Sequence, residues 1–264
     1  MDPIISRTNP KIKQARRLRQ RKARQASGLF LVEGIRPVGE AVEAGAPVES
    51  LFYAPELLTS AYAQGLINQL IAQEIPCYPT SPEVFATLAE KENPQGLLAM
   101  VRMRPASLEG LTPGNFPWGV ALVTPQDPGN IGAILRTVDA VAASGLLLLE
   151  GGADPYHPQA VRASMGALFW HPVVQASFAE FTAWAKRGGY AVIGTSAHAE
   201  KDYREAASTP PPLILLLGSE QKGLSAEQMA ICTEVVRIPM KGRVTSLNLA
   251  AAAAVMMYGI EGKD

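Results

Sequence analysis

The 264 residues fit one large domain or two small ones, and 47% hydrophobic against 18% charged residues is ample material for a buried core. Two cysteines, Cys77 and Cys232, both in apolar sequence, read as packed thiols and exclude a disulfide framework. Formal net charge is zero, which by itself argues against a polyanionic partner, but the charge is unevenly distributed.

Taken in chain order, the first predicted element is basic. Nine Lys and Arg residues and no acid lie between Arg7 and Arg24, among them Lys11, Lys13, Arg16, Arg17 and Arg19. That density can neutralise several phosphates, although a solvated basic arm has the same composition. The polar start carries no apolar signal segment. Short apolar runs then alternate with helix-length segments: 30–32, 51–53, 97–101, 120–123, 146–149, 191–193, 213–217 and 235–238. This alternation predicts an α/β protein with a mostly parallel sheet, and the uninterrupted aliphatics Leu213 to Leu217 predict a central strand. Pro105, Pro113, Pro117, Gly110 and Gly114 mark residues 105–117 as a linker. It divides the chain into an N-terminal domain over 1–104 and a C-terminal domain over 118–264. The alanine-rich stretch from Leu247 to Met256 is too short to span a bilayer and reads as a buried helix. The expectation is a soluble, cytoplasmic protein without a membrane partner.

Three segments of the C-terminal half place glycine, proline and uncommitted polar residues just after apolar strands, where open α/β sheets bind ligands. In Thr124 to Arg136, Asn130 reads as a helix N-cap and Arg136 lies off the helix's apolar face. In Gly218 to Ser225, two glycines bracket a polar turn. This is neither a P-loop nor a dinucleotide fingerprint. In Ile238 to Asn248, Ser246 reads as the cap of the alanine-rich helix, with Asn248 inside its first turn. Each segment also has a plain reading as a helix start or a strand-to-helix turn.

Together, Asn-x-Gly-x-x-x-Arg, Gly-Ser-Glu-x-x-Gly-Leu and Ile-Pro-Met-x-Gly-x-x-x-Ser-Leu-Asn resemble the three ordered motifs of the SpoU/TrmH RNA ribose methyltransferases of the SPOUT class. Tyr156 to Gly166 is similar to the segment usual between the first two. Thr8 to Lys13 and Phe30 to Gly34 resemble the family's RNA-binding N-terminal domain, which is like certain ribosomal proteins. The resemblance implies a parallel sheet with helices on both faces and a deep trefoil knot, S-adenosyl-L-methionine (SAM) as methyl donor, and no metal. It also implies a homodimer and structured RNA, most simply rRNA, as the other partner.

Carried over by position, Thr195, Ser196, Gly218, Glu220, Gly223, Ile238, Pro239, Met240, Leu247 and Asn248 would hold SAM. Asn130, Arg136, Glu220, Ser246 and Asn248 would form the catalytic set. Lys11, Lys13, Arg16, Arg17, Arg19 and Arg162 would contact RNA, with pairing to a carboxylate the other reading of Arg162. A guanidinium rarely surrenders its proton, so Arg136 is assigned to orienting and stabilising the attacking oxygen. His157, His171 and His198 are too scattered to form a metal site. The competing expectations are a catalytically silent RNA-binding or ribosome-assembly factor on the same fold, a tRNA substrate, and an unrelated nucleotide-binding oxidoreductase, which lacks its fingerprint here.

Overall fold

The basic opening stretch folds into two short helices, α1 (Pro10–Arg17) and α2 (Arg21–Ser27), in a computed structural model that describes residues 2–90, 92–206 and 209–261. Asn9 caps α1 by accepting from the Lys11 amide, Pro10 opens its first turn, and Gly28 at φ 67° closes α2. Ile12, Ala15 and Leu18 face inward while Lys11, Lys13, Arg17 and Arg19 face solvent. Arg24 is the exception among the nine cations. It is 1% exposed, and its Nη1 donates to the carbonyls of Leu18 and Arg19, each at 2.8 Å. It satisfies carbonyls at the end of α1 and is withdrawn from the basic surface.

The chain continues through β1 (Leu29–Glu33), α3 (Ile35–Glu43), β2 (Val48–Tyr53), α4 (Ala61–Ala72), β3 (Cys77–Pro79), α5 (Pro82–Ala86) and β4 (Leu97–Arg102). The strands form a mixed sheet in the order β1-β4-β2-β3, with β4 antiparallel to both neighbours and β2 parallel to β3. Its core gathers Ile12, Leu31, Phe52, Phe85 and Met100.

The second half runs β5 (Trp118–Val123), α6 (Pro128–Ala140), β6 (Leu146–Leu149), α7 (Pro158–Ala163), β7 (Val173–Ala176), α8 (Phe178–Gly188), β8 (Ala191–Thr195) and β9 (Lys201–Asp202). It ends with α9 (Tyr203–Ala206), β10 (Leu213–Leu217), α10 (Ala226–Ala230), β11 (Glu234–Arg237) and α11 (Leu249–Glu261). Seven strands pair entirely in parallel in the order β7-β6-β5-β10-β8-β11-β9. All five residues of β10 are buried at the centre, as a strand covered on both faces must be. The three strands without a sequence signal, β3, β7 and β9, are short and lie towards sheet edges.

By contacts, the chain divides into two units. One is Met1–Arg104 with Tyr156–Phe169; the other is Pro105–Pro155 with Trp170–Asp264. Thus α7, from the middle of the second half, packs with the N-terminal sheet. The Phe30 ring lies 4.8 Å from that of Tyr156 and 6.2 Å from that of Phe169.

Residues 105–117 are packed within the second unit. Leu108 and Phe116 are buried there, the Leu111 carbonyl accepts from Trp184 Nε1 at 2.9 Å, and the Phe116 carbonyl accepts from the Tyr190 hydroxyl at 2.9 Å. Among the described residues, no helix is long and apolar enough to cross a membrane.

Candidate active site

Because β5, β8, β10 and β11 run parallel, the loops that follow them emerge at one edge of the sheet. Strand order reverses direction between β5, which leads outward to β6 and β7, and β10, which pairs with β8 on its other side, with β11 beyond β8. Open α/β sheets bind ligands at such a switch point. Residues 195–201, 217–224, 235–240 and 242–249 from three of these loops line an open cavity of about 1700 Å³. That exceeds the roughly 300–1,000 Å³ of a small-molecule pocket, so a second group has room beside a first.

The turn after β10 is closed by its own backbone. The Gly223 amide donates to the Ser219 carbonyl at 2.9 Å, the Lys222 amide donates to Ser219 Oγ at 3.2 Å, and Gly223 takes φ 64°. A Cβ on Gly218 would stand 2.1 Å from the Gly223 carbonyl carbon, so only glycine fits there.

Two helix caps differ from the sequence expectation. Asp127, not Asn130, caps α6, its carboxylate accepting from the Gly129 amide at 2.8 Å. Asn248, not Ser246, caps α11: its Oδ1 accepts from the amides of Ala250 at 2.9 Å and Ala251 at 3.3 Å. Pro128 explains the first shift, since proline suits the first turn and places the cap at the residue before it. Asn130, released from capping, is 7% exposed within that turn. Its Oδ1 accepts from Asn248 Nδ2 at 3.0 Å, and its Nδ2 donates to Glu220 Oε1 at 3.3 Å. Glu220 also accepts from the Gln126 amide, 3.3 Å from each carboxylate oxygen.

All ten residues expected around a donor (Thr195, Ser196, Gly218, Glu220, Gly223, Ile238, Pro239, Met240, Leu247 and Asn248) line this cavity, and so does Ser246. Thr195 Oγ1 is held by the Leu216 carbonyl at 3.3 Å, and the Ser196 amide donates to the Val236 carbonyl at 3.0 Å. Asn130 and Arg136 stand outside the lining. Arg136 is exposed on α6 and makes no hydrogen bond or ion pair with the described residues.

A profile described as the SpoU rRNA methylase family matches residues 117–258, and one described as an MRM3-like substrate-binding domain matches residues 9–99. The chain is 37% identical over 248 residues to the 23S rRNA (uridine(2479)-2'-O)-methyltransferase of Streptomyces viridochromogenes, covering 91% of this chain and 85% of that protein. The chain belongs to the SpoU rRNA methylase family. Within the family it is also 29% identical to the 23S rRNA (guanosine(2553)-2'-O)-methyltransferase of Bacillus subtilis over 99% of this chain and all of that one. Among solved structures, an AdoMet-bound rRNA methyltransferase from Sinorhizobium meliloti superimposes with a TM-score of 0.89 at 32% identity, over 98% of this chain and 97% of that one.

Around this cavity, the sequence reading missed Gln126, whose main-chain amide holds Glu220; a backbone donor leaves no residue-type signal. It also missed His198, Glu200, Arg237 and Arg243 on the cavity wall. On the N-terminal unit, the Lys11 ammonium lies 4.3 Å from the centre of the Tyr78 ring. Arg16 donates to the Arg7 carbonyl at 3.1 Å and Arg19 to the Ala89 carbonyl at 2.6 Å, while Lys13 and Arg17 extend into solvent. Arg162 pairs with Glu90 at 3.5 Å, the carboxylate partner that was one of its two readings.

Proposed function

We propose that this protein transfers the methyl group of SAM to a ribose 2'-hydroxyl of 23S-type ribosomal RNA. The observation that carries the reading is the convergence of two motif-bearing loops, 217–224 and 235–249, with the loop after β8 on one cavity, while Asn130 of the remaining motif hydrogen-bonds Glu220 and Asn248 on its wall. Its walls fit the donor. Apolar Leu217, Leu224, Met229 and Met256 suit an adenine ring and a thioether-like chain, and Thr195 and Ser196 offer hydroxyls. At Gly218 the backbone is bare, open to a closely bound ligand. When bound, SAM supplies an electrophilic methyl on a sulfonium centre.

The protein's own residues orient the acceptor oxygen and stabilise the charge that develops on it. Holding that oxygen in line provides much of the rate gain. Arg136 is assigned to the oxygen as a fixed cation, since its guanidinium keeps its proton. Its place outside the cavity lining of its own chain favours a homodimer in which a second copy brings Arg136 to the site. The half-exposed Trp170 and Tyr258 offer apolar area for such an interface. Lys13, Arg16, Arg17 and Arg19 on α1 and just after it would meet RNA phosphates, and the reaction would take place in the cytoplasm, where ribosomal RNA is found.

Transfer RNA is the less favoured substrate, because full-length relatives with an assigned nucleotide are named for 23S rRNA. The test is a calorimetric titration of S-adenosylhomocysteine into the wild-type protein and into Arg136→Ala. Both are expected to bind within about threefold of each other, with methyl transfer lost only in the variant. Near-normal turnover by Arg136→Ala would remove the role given to that residue.

A further inference from the structure

Asn130 spends both ends of its amide on other side chains, and the polarity of that arrangement is fixed from outside it. Asn248 Oδ1 is occupied by the amides of Ala250 and Ala251, so only Nδ2 is left to point at Asn130. Asn130 must therefore present Oδ1 to Asn248 and Nδ2 to Glu220. Glu220 in turn meets donors from both contacts, Asn130 Nδ2 and the Gln126 amide. The N-terminus of α11 thus sets the orientation of a side chain on α6, which sets a carboxylate on the turn after β10.

We propose that Asn130 is a positioning residue, without contact to either substrate, whose one-directional hydrogen-bond relay holds Glu220 and the 218–223 turn in the shape that accepts the donor. This rests on the reading of the cavity as the SAM site. It differs from a ligand contact in a checkable way: what matters for the turn's shape is the direction of the hydrogen bonds, so reversing that direction at two places restores donor affinity.

In Asn130→Asp, a carboxylate would face Glu220 with no proton between them. Affinity for S-adenosylhomocysteine, read by calorimetry well below the thermal midpoint, should fall about tenfold or more, on the scale of one buried polar group left unpaired. Adding Glu220→Gln supplies a donor from the other side: the side-chain amide introduced by that change can donate through its nitrogen to the new carboxylate while its oxygen keeps the Gln126 amide. The double variant should return to within about threefold of wild type, although Glu220→Gln alone brings no gain.

If Asn130→Asp does not fold, Asn248→Asp reads the same relay with the helix cap retained, since Asp caps as well as Asn. Glu220→Gln should rescue it likewise, through a flipped Asn130. Asn130→Asp binding like wild type, or a folded double variant no better than its single parent, would overturn the relay. Wild-type protein that takes up no S-adenosylhomocysteine would instead overturn the reading of the cavity itself.

Discussion

Gly218 shows how little freedom the site has at single residues. Its missing side chain lets the turn close on Gly223, and Gly218→Ala would force a Cβ to within 2.1 Å of main chain. The turn must open, and S-adenosylhomocysteine affinity is expected to drop at least tenfold, with the thermal midpoint lowered by several degrees. A calorimetric titration matching wild type would show that the turn does not shape the pocket.

Cys232 fills the space that Gly194 leaves beside β8, where an added Cβ would lie 2.6 Å from its Sγ. Burial pushes its thiol up to about 11, and burial likewise pushes Tyr190 up to about 12. Both groups ionise more readily in the unfolded chain. Their contribution to stability is therefore whole below about pH 9 and is lost as pH rises through 9 to 12. Urea unfolding from pH 8 to 11 should show a falling midpoint that Cys232→Ala partly flattens, and an unchanged slope in the variant would contradict it. At this scale the sequence named the polar residues but misjudged their jobs. Asn130 and Ser246 look like caps by residue type alone. Only the neighbours Pro128 and Asn248, and partners 90 or more positions away, assign the real ones.

Helices α1 and α2 are held by Ile12, Ala15 and Leu18 beneath them and present most of the basic stretch to solvent. The sequence shows the charge density, but not that Arg24 turns inward or that Arg16 and Arg19 already hold carbonyls. Replacing Arg16, Arg17 and Arg19 by Gln should weaken rRNA binding and reduce the steepness of its dependence on salt by about two to three. Filter binding across a salt series reads both, and an unchanged slope would return these helices to a purely structural role.

Strands were the most legible elements. The runs 146–149 and 213–217 fold over just those residues because uninterrupted aliphatics have no other place than the buried centre of a parallel sheet. β3, β7 and β9 were not legible, since two to four residues near a sheet edge need little apolar sequence.

For the whole molecule, zero net charge conceals a division of labour, with the basic stretch on one unit and the glycine-bracketed turn on the other. The segment Tyr156–Phe169 complicates a simple cut between halves, because it packs on β1 of the N-terminal unit although it follows β6 in the chain. Sequence order cannot reveal this. The contacts that decide it, Phe30 with Tyr156 and Phe169, join residues more than 120 positions apart. Tyr156→Ala should therefore loosen β1, raising hydrogen exchange at residues 29–33 by an amount that corresponds to about 2 kcal/mol or more. Unaltered protection of those amides would show that the segment contributes little to holding that strand.

The central claim, methyl transfer to a ribose oxygen, is tested most directly by mass spectrometry of nucleosides. Wild-type protein would be incubated with 23S rRNA and SAM carrying a deuterated methyl group, and the RNA then digested completely. A single labelled 2'-O-methylnucleoside is the expected product, absent when Arg136→Ala replaces the wild type. Label on a base, or none on any RNA from a protein that binds the donor, would contradict it.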